Sequence, residues 1–109
     1  MTAAVVNADT VVNQIEGATV MALSGALVEA VPVTGGRLAK PSLTRYPLLR
    51  FADVPEIEVV LCDRPDVPSA GAGETPMIAV APAVANALFD ATGRRLRDLP
   101  LAPGMRLPS

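Results

Sequence analysis

The chain has no histidine, no tryptophan, one cysteine, one tyrosine and two phenylalanines among its 109 residues. Each shortage removes a class of chemistry. Without histidine, neither a Ser-His-Asp nor a Cys-His nucleophilic site can be assembled, and histidine-ligated zinc is excluded. Cys62 stands alone, so there is no internal disulfide and no thiolate metal site. Any metal used here is held by something other than these side chains. Aromatics, at 3% of the residues, carry the largest buried area per side chain. Half of the residues are hydrophobic, but Ala and Val dominate, so a core built from this chain alone is thin.

Other absences narrow the partners. Net charge is −2, and no basic stripe interleaved with aromatics marks a nucleic-acid surface. The one basic cluster, Arg94-Arg95-Leu96-Arg97, reads as a solvated face complementing a helix C-terminus. Met1 is followed by no basic segment and apolar h-region, so no signal peptide is expected and the default compartment is the cytoplasm. The longest uncharged, mostly apolar run, residues 17–28, is too short for a membrane span and suits a buried helix.

What is present allows at most one domain, interrupted by 11 prolines and 8 glycines. Residues 3–6 read as a short buried strand. Asp9 or Thr10 is placed to cap a helix that runs to about Ala30. Val12, Ile15, Thr19, Ala22, Leu23, Ala26 and Leu27 form its apolar face. Val11, Ala18, Val20 and Met21 widen the stripe almost all round, which predicts burial on nearly every side. Small residues at Gly25 and Ala26 suit close helix–helix packing. Gln14 is expected to face an apolar neighbourhood, where its amide must pair with backbone or hold a ligand.

Residues 31–39 predict a hairpin turning at Thr34-Gly35-Gly36. Residues 46–51 have the apolar density of a segment lying over a core, and residues 53–55 form a turn. Residues 56–61 alternate polar and apolar and predict a strand. Residues 63–70 form a loop. A second helix is expected from Met77 to Thr92, capped by Thr75 with Pro76 at its first position. Ala83, Val84, Ala87 and Leu88 form its apolar face, Pro82 bends or divides it, and Gly93 stops it. Residues 94–101 are a short extended tail, and residues 102–109 fray.

One stretch between the elements carries chemistry: Gly71-Ala72-Gly73-Glu74-Thr75-Pro76. Its two glycines let backbone approach a ligand, and a helix N-terminus behind it favours anions and an ionised Glu74. Such a carboxylate suits a general base, or merely ends a turn and caps a helix. A dinucleotide fingerprint fails because Pro76 holds the third-glycine position. A phosphate-binding P-loop fails because no Lys-Ser/Thr pair follows the second glycine.

Residues 71–76, followed by residues 81–101, resemble the molybdenum-cofactor-binding large subunit of the xanthine dehydrogenase/aldehyde oxidase family at its C-terminal end. The isoquinoline 1-oxidoreductase-like branch is the nearest. Asn7-Ala8-Asp9-Thr10-Val11-Val12-Asn13-Gln14-Ile15-Glu16-Gly17 is similar to that family's Asn-Pro-Asp helix opening with Gln-x-Glu-Gly after it. Tyr46-Pro47-Leu48-Leu49-Arg50 and Pro55-Glu56-Ile57-Glu58-Val59 also match in order, so the resemblance covers residues 5–101. The sequence departs from the pattern at Ala8 and at residues 40–45.

The resemblance implies an α+β segment of a larger molybdopterin-binding domain over residues 1–101, with 102–109 as a frayed tail. Its elements are a long buried N-terminal helix, a hairpin, short strands and a C-terminal helix bent near Pro82. It implies a hydroxylase that oxidises an N-heterocycle or an aldehyde with water as oxygen source. The cofactor is molybdenum-molybdopterin in a dinucleotide form, with the metal held by the pterin. In the family, the Gly-x-Gly-Glu glutamate is the general base that takes the proton of the metal-bound hydroxyl, which maps onto Glu74. Gly71, Ala72 and Gly73 map onto the turn beside the metal centre, and Gln14 onto a pterin contact. The resemblance further implies two partners: the remainder of the large subunit, or a companion chain, and a small subunit carrying iron–sulfur clusters. The competing expectation is a non-catalytic remnant or a small α+β packing module.

Overall fold

The computed structural model describes residues 2–39 and 42–102. Lys40, Pro41 and most of the expected frayed tail lie outside the described residues. Strand β1 (Thr2–Ala3) leads into helix α1 (Ala8–Leu27). The hairpin β2 (Val33–Thr34) and β3 (Arg37–Leu38) follows, then single 3-10 turns at Leu43–Arg45 and Phe51–Asp53, strand β4 (Cys62–Asp63) and helix α2 (Met77–Thr92). The architecture is the expected α+β: two packed helices with short strands at their margins.

Helix α1 starts on a different cap from the expected one. The Asn7 side chain accepts from the Thr10 N–H at 2.9 Å, and Asn7 has the extended backbone of a cap residue. Asn is as good a cap as Asp and better than Thr, so the first competent residue takes the position. Asp9 then falls in the first turn, where its charge complements the helix dipole. At the other end the helix closes at Leu27, short of Ala30, because the N–H groups of Val28 and Glu29 both turn back onto the Ser24 carbonyl.

The expected face of α1 points inward: Val12, Ile15, Thr19, Ala22, Leu23 and Leu27 are half-buried and Ala26 is 3% exposed. Burial all round does not follow. Only Ala18, Ser24 and Ala26 of this helix are buried, and Met21 is exposed. Nothing lies within 4 Å of where a Cβ on Gly25 would stand, so no neighbouring helix presses there as its size suggested.

The hairpin forms as expected, with Gly35 and Gly36 both at positive φ (57° and 73°). That is the two-residue turn whose twist matches its strands. Thr34 belongs to β2 rather than to the turn, and the register pairs Val33 with Leu38 and Thr34 with Arg37. Residues 56–61 do not form the expected strand. Only Cys62–Asp63 make a ladder, parallel to β1, with Thr2 opposite Cys62 and Ala3 opposite Asp63.

Helix α2 begins at Met77 with Pro76 as its cap residue, and Thr75 makes no capping bond. Pro82 lies inside a helix that runs unbroken to Thr92, so the expected division in two does not occur. Proline still removes one donor from the ladder. The inward stripe is Val80, Ala81, Val84, Ala85 and Leu88. Val84 and Leu88 were expected on it, whereas Ala83 and Ala87 are exposed. Gly93 ends the helix in the left-handed region (φ 69°), its N–H bonded to the Phe89 carbonyl, and so confirms the expected stop.

The segment after Gly93 does not trail away. Leu101 is 8% exposed. Its N–H bonds the Ala26 carbonyl at 2.7 Å, and the Ala102 N–H bonds the Leu27 carbonyl at 3.1 Å. The tail thus satisfies two of the orphan carbonyls that every helix C-terminus leaves, and Ala102 is docked rather than frayed. Arg94, Arg95 and Arg97 are solvated, as expected. Arg95 also turns back over α2, stacking 3.8 Å above the Phe89 ring and donating to the Asn86 side-chain oxygen.

The thin core predicted from composition is what is seen. Buried apolar residues are confined to Ala18, Ala26, Val28 and Leu101 among the described residues. Phe51 is 97% exposed and Ile78 78% exposed. Accessible area is 8132 Å², against roughly 5,700 Å² for a compact monomer of this mass. The radius of gyration is 16.7 Å, against about 13 Å for a compact domain of this length. Among the described residues, no helix is long and apolar enough to cross a membrane.

Candidate functional site

The Gly-x-Gly-Glu stretch is a bend leading into α2. The chain bends at Gly73 and Glu74, turns through Thr75 and Pro76, and closes with the Met77 N–H on the Glu74 carbonyl at 3.0 Å. Gly71 and Gly73 are not at positive φ, so the left-handed region is not what they supply. They supply space. A Cβ on Gly71 would meet nothing within 4 Å, and one on Gly73 would meet only the Gln14 Nε2, at 3.6 Å.

That contact joins the two singled-out motifs. Gln14, in the second turn of α1, is set over the backbone of Gly73, one residue before Glu74. The packing of α1 on α2 brings the N-terminal part of one helix to the entry of the other. Gln14 itself is exposed, which corrects the expectation that it faces an apolar neighbourhood. It makes no hydrogen bond among the described residues. Glu74 and Gly71 are exposed, and Ala72 and Gly73 are half-buried. The result is an open cradle: the Gln14 amide over a stretch of backbone without side-chain cover, with Glu74 the next residue in the turn.

Elsewhere, loops are tied down by polar contacts that sequence reading did not single out. The Ser24 hydroxyl accepts from the Leu49 N–H at 3.1 Å, and the Tyr46 hydroxyl donates to Glu29 Oε2 at 2.9 Å. Residues 46–49 are thus held along α1, as their apolar density predicted, while Phe51 points away. The Tyr46 phenol is raised above its ordinary range, chiefly by its hydrogen bond to Glu29. On the approach to Gly71, the Arg64 guanidinium binds Asp66 through two nitrogens and holds that carboxyl below its ordinary range. The Ala4 N–H bonds the Val67 carbonyl and the Val5 N–H bonds Asp63 Oδ1, so the loop before the glycines is moored to β1. These ties link residues 17 or more positions apart, or sit within the loop of residues 63–70. No local pattern announces them.

A second feature is an open groove of about 540 Å³ between α1 and residues 54–57. Asn13, Glu16, Gly17 and Val20 line one wall, Val54 and Ile57 the other. No group of three or more carboxylate, cysteine or histidine side chains could hold a metal ion among the described residues.

A family described as the molybdopterin cofactor-binding domain matches residues 2–55. The chain is 38% identical over 96 residues to one subunit of the nicotinate dehydrogenase of Pseudomonas putida, covering 88% of this chain and 8% of that protein. It is 39% identical over 97 residues to the beta subunit of isoquinoline 1-oxidoreductase from Brevundimonas diminuta, covering 89% and 12%. It is 34% identical over 104 residues to the aldehyde oxidoreductase molybdenum-binding subunit of Escherichia coli K12, covering 89% and 14%. The chain spans about a tenth of the length of these relatives, and most of its own length is matched. It belongs to the molybdenum-binding subunits of the xanthine dehydrogenase/aldehyde oxidase family.

Proposed function

We propose that this chain supplies the general base and part of the cofactor wall of a molybdenum hydroxylase whose remaining walls come from other protein. The reaction is oxidation of an N-heterocycle or an aldehyde, with water as the source of oxygen. The observation that carries this reading is the approach of the Gln14 amide to Gly73, across 59 positions of sequence and one residue before Glu74, close enough that a Cβ at Gly73 would lie 3.6 Å from Nε2. A cofactor held by the Gln14 amide lies within reach of the same turn that presents the base.

The residues fit a pterin-held metal. Gln14 offers two donors and an acceptor, uncommitted among the described residues. Gly71, Ala72 and Gly73 offer a wall that a broad ligand can approach, and Gly73 leaves only the Gln14 amide in its way. When bound, the molybdenum cofactor, in a dinucleotide form, supplies the acceptor for the two electrons that leave the substrate carbon. Iron–sulfur clusters, expected on a partner subunit, would provide the onward path for those electrons. In this scheme water contributes the oxygen and two protons are released. Glu74 takes the first on a carboxylate oxygen as the new C–O bond forms. Met77's bond to the Glu74 carbonyl fixes the turn from which that side chain projects.

The test places Glu74→Gln in the complete subunit assembled with its partners. A positioned general base is worth roughly 10²–10⁴ in rate. The variant should lose turnover by about that factor and keep its molybdenum content. Full activity in the variant would refute the base role. Loss of the metal together with activity would move Glu74 from proton transfer to cofactor retention.

A further inference from the structure

The turn that presents Glu74 is held by little of its own. Outside the helix ladders, residues 71–76 make one hydrogen bond among the described residues, the Met77 N–H onto the Glu74 carbonyl at 3.0 Å. Thr75 makes no capping bond, and a Cβ at Gly71 would meet nothing within 4 Å. The residue that closes the turn is better placed. Met77 is half-buried, whereas Ile78 and Ala79 beside it are exposed, Ile78 at 78%. Met77 lines an open groove of about 500 Å³ together with Val20, Met21 and Gly25 of α1 and Leu48 and Leu49 of the segment alongside it. That segment is itself fixed to α1. The Leu49 N–H donates to the Ser24 hydroxyl at 3.1 Å, and the Tyr46 hydroxyl donates to Glu29 at 2.9 Å. The first residue of α2 thus faces two elements already tied together, three positions after Glu74.

We infer that Met77 is a positioning residue for Glu74: its side chain seats between α1 and residues 48–49 and so fixes where the turn holds the carboxylate. This rests on the functional reading above, in which Glu74 is the base. The backbone bond from Met77 sets the shape of the turn, but it does not set the place of the turn relative to α1. The Gln14 amide approaches Gly73 without a hydrogen bond to it. A side chain anchored in the groove supplies the missing constraint at the end of the turn nearest the carboxylate. Small displacements matter here, because a shift of about 1 Å in a reacting group can cost roughly a hundredfold in rate. Methionine suits an open, irregular seat, being unbranched and adaptable. Leucine conserves its volume and is a well-tolerated exchange, whereas alanine leaves the seat unfilled.

The experiment is a double-mutant cycle in the complete subunit assembled with its partners, with turnover of isoquinoline or benzaldehyde as the readout. Met77→Ala should lower kcat and kcat/KM together by about tenfold to a hundredfold, with molybdenum content unchanged. Met77→Leu should restore both. In the Glu74→Gln background, Met77→Ala should cost nothing further, because a residue that acts through the carboxylate has no effect once the carboxylate is gone. A merely structural role costs the same factor in both backgrounds. Parent turnover in Met77→Ala overturns the inference, and so does an equal loss in the two backgrounds. Both outcomes leave the functional reading standing when Glu74→Gln alone loses turnover. Full activity in Glu74→Gln overturns that reading and this inference with it. Where Met77→Ala fails to assemble, Met77→Val carries the same cycle with the same outcomes.

Discussion

Truncating Leu101 to alanine tests whether the docked tail holds α1 in place. Leu101 is 8% exposed, and its backbone N–H reaches the Ala26 carbonyl. A buried Leu→Ala change costs about 2–5 kcal/mol, less where neighbours can collapse into the space. Here no side chain among the described residues is fully enclosed, so the lower end applies, about 2–3 kcal/mol. With an unfolding entropy of roughly 2.1 cal/mol/K per residue, each kcal/mol moves the midpoint by about 4 °C in a chain this long. The expected loss is therefore about 9–13 °C, read by circular dichroism of the helical signal. Leu99→Ala is the control: Leu99 is 62% exposed, and a surface change of this kind stays within about 0.5 kcal/mol, or roughly 2 °C. Neither truncation removes a backbone group. Slowed amide exchange at 101 and 102 that persists in Leu99→Ala and is lost in Leu101→Ala therefore reports undocking of the tail. A Leu101→Ala midpoint no lower than that of Leu99→Ala would refute the clamp.

Two further outcomes follow from local geometry. Gly93→Ala puts a side chain at φ 69° and should destabilise by about 1–2 kcal/mol, or roughly 4–8 °C; an unchanged midpoint would mean that α2 ends differently in solution. Tyr46 is the only tyrosine in a chain without tryptophan, so phenolate absorbance reads it directly. Its ionisation is raised by the hydrogen bond to Glu29, so its stabilising contribution is complete below the ordinary value of 10.0 and is lost as pH rises through the higher folded value. Glu29→Gln should lower the phenolate midpoint, and an unmoved midpoint would disprove the pairing.

What the sequence discloses divides by range. Gly35-Gly36 and Gly93 were legible because positive φ is a local demand that few residues meet. The inward face of α1 was legible because helical spacing repeats over 20 residues. The cap was misplaced by two or three positions because Asn7, Asp9 and Thr10 are all competent, and backbone geometry alone chooses. The apolar face of α2 was misassigned because a run rich in Ala and Val satisfies more than one stripe. The docking of Leu101 on Ala26 joins residues 75 positions apart, and no local pattern encodes it. At the site, the resemblance assigned Gln14 to the pterin and Glu74 to proton transfer, and the structure sets the Gln14 amide close to Gly73. That Gln14 would be exposed was not readable, because its surroundings depend on what covers α1.

The misread strand and the exposed Glu74 share one physical origin. Alternation in residues 56–61 reports which side chains face a core. It does not report whether a neighbouring strand exists, and so it predicted a ladder where only half of one is present. Glu74 is similar: its position on the turn is encoded here, but its environment is not. A carboxylate acting as base on a developing bond works best where water is excluded and nearby charges are fixed, and Glu74 is exposed. A chain this poor in aromatics cannot bury that site with its own side chains. On the proposed reading it contributes position, and the desolvation that makes position useful arrives with the protein that supplies the remaining walls.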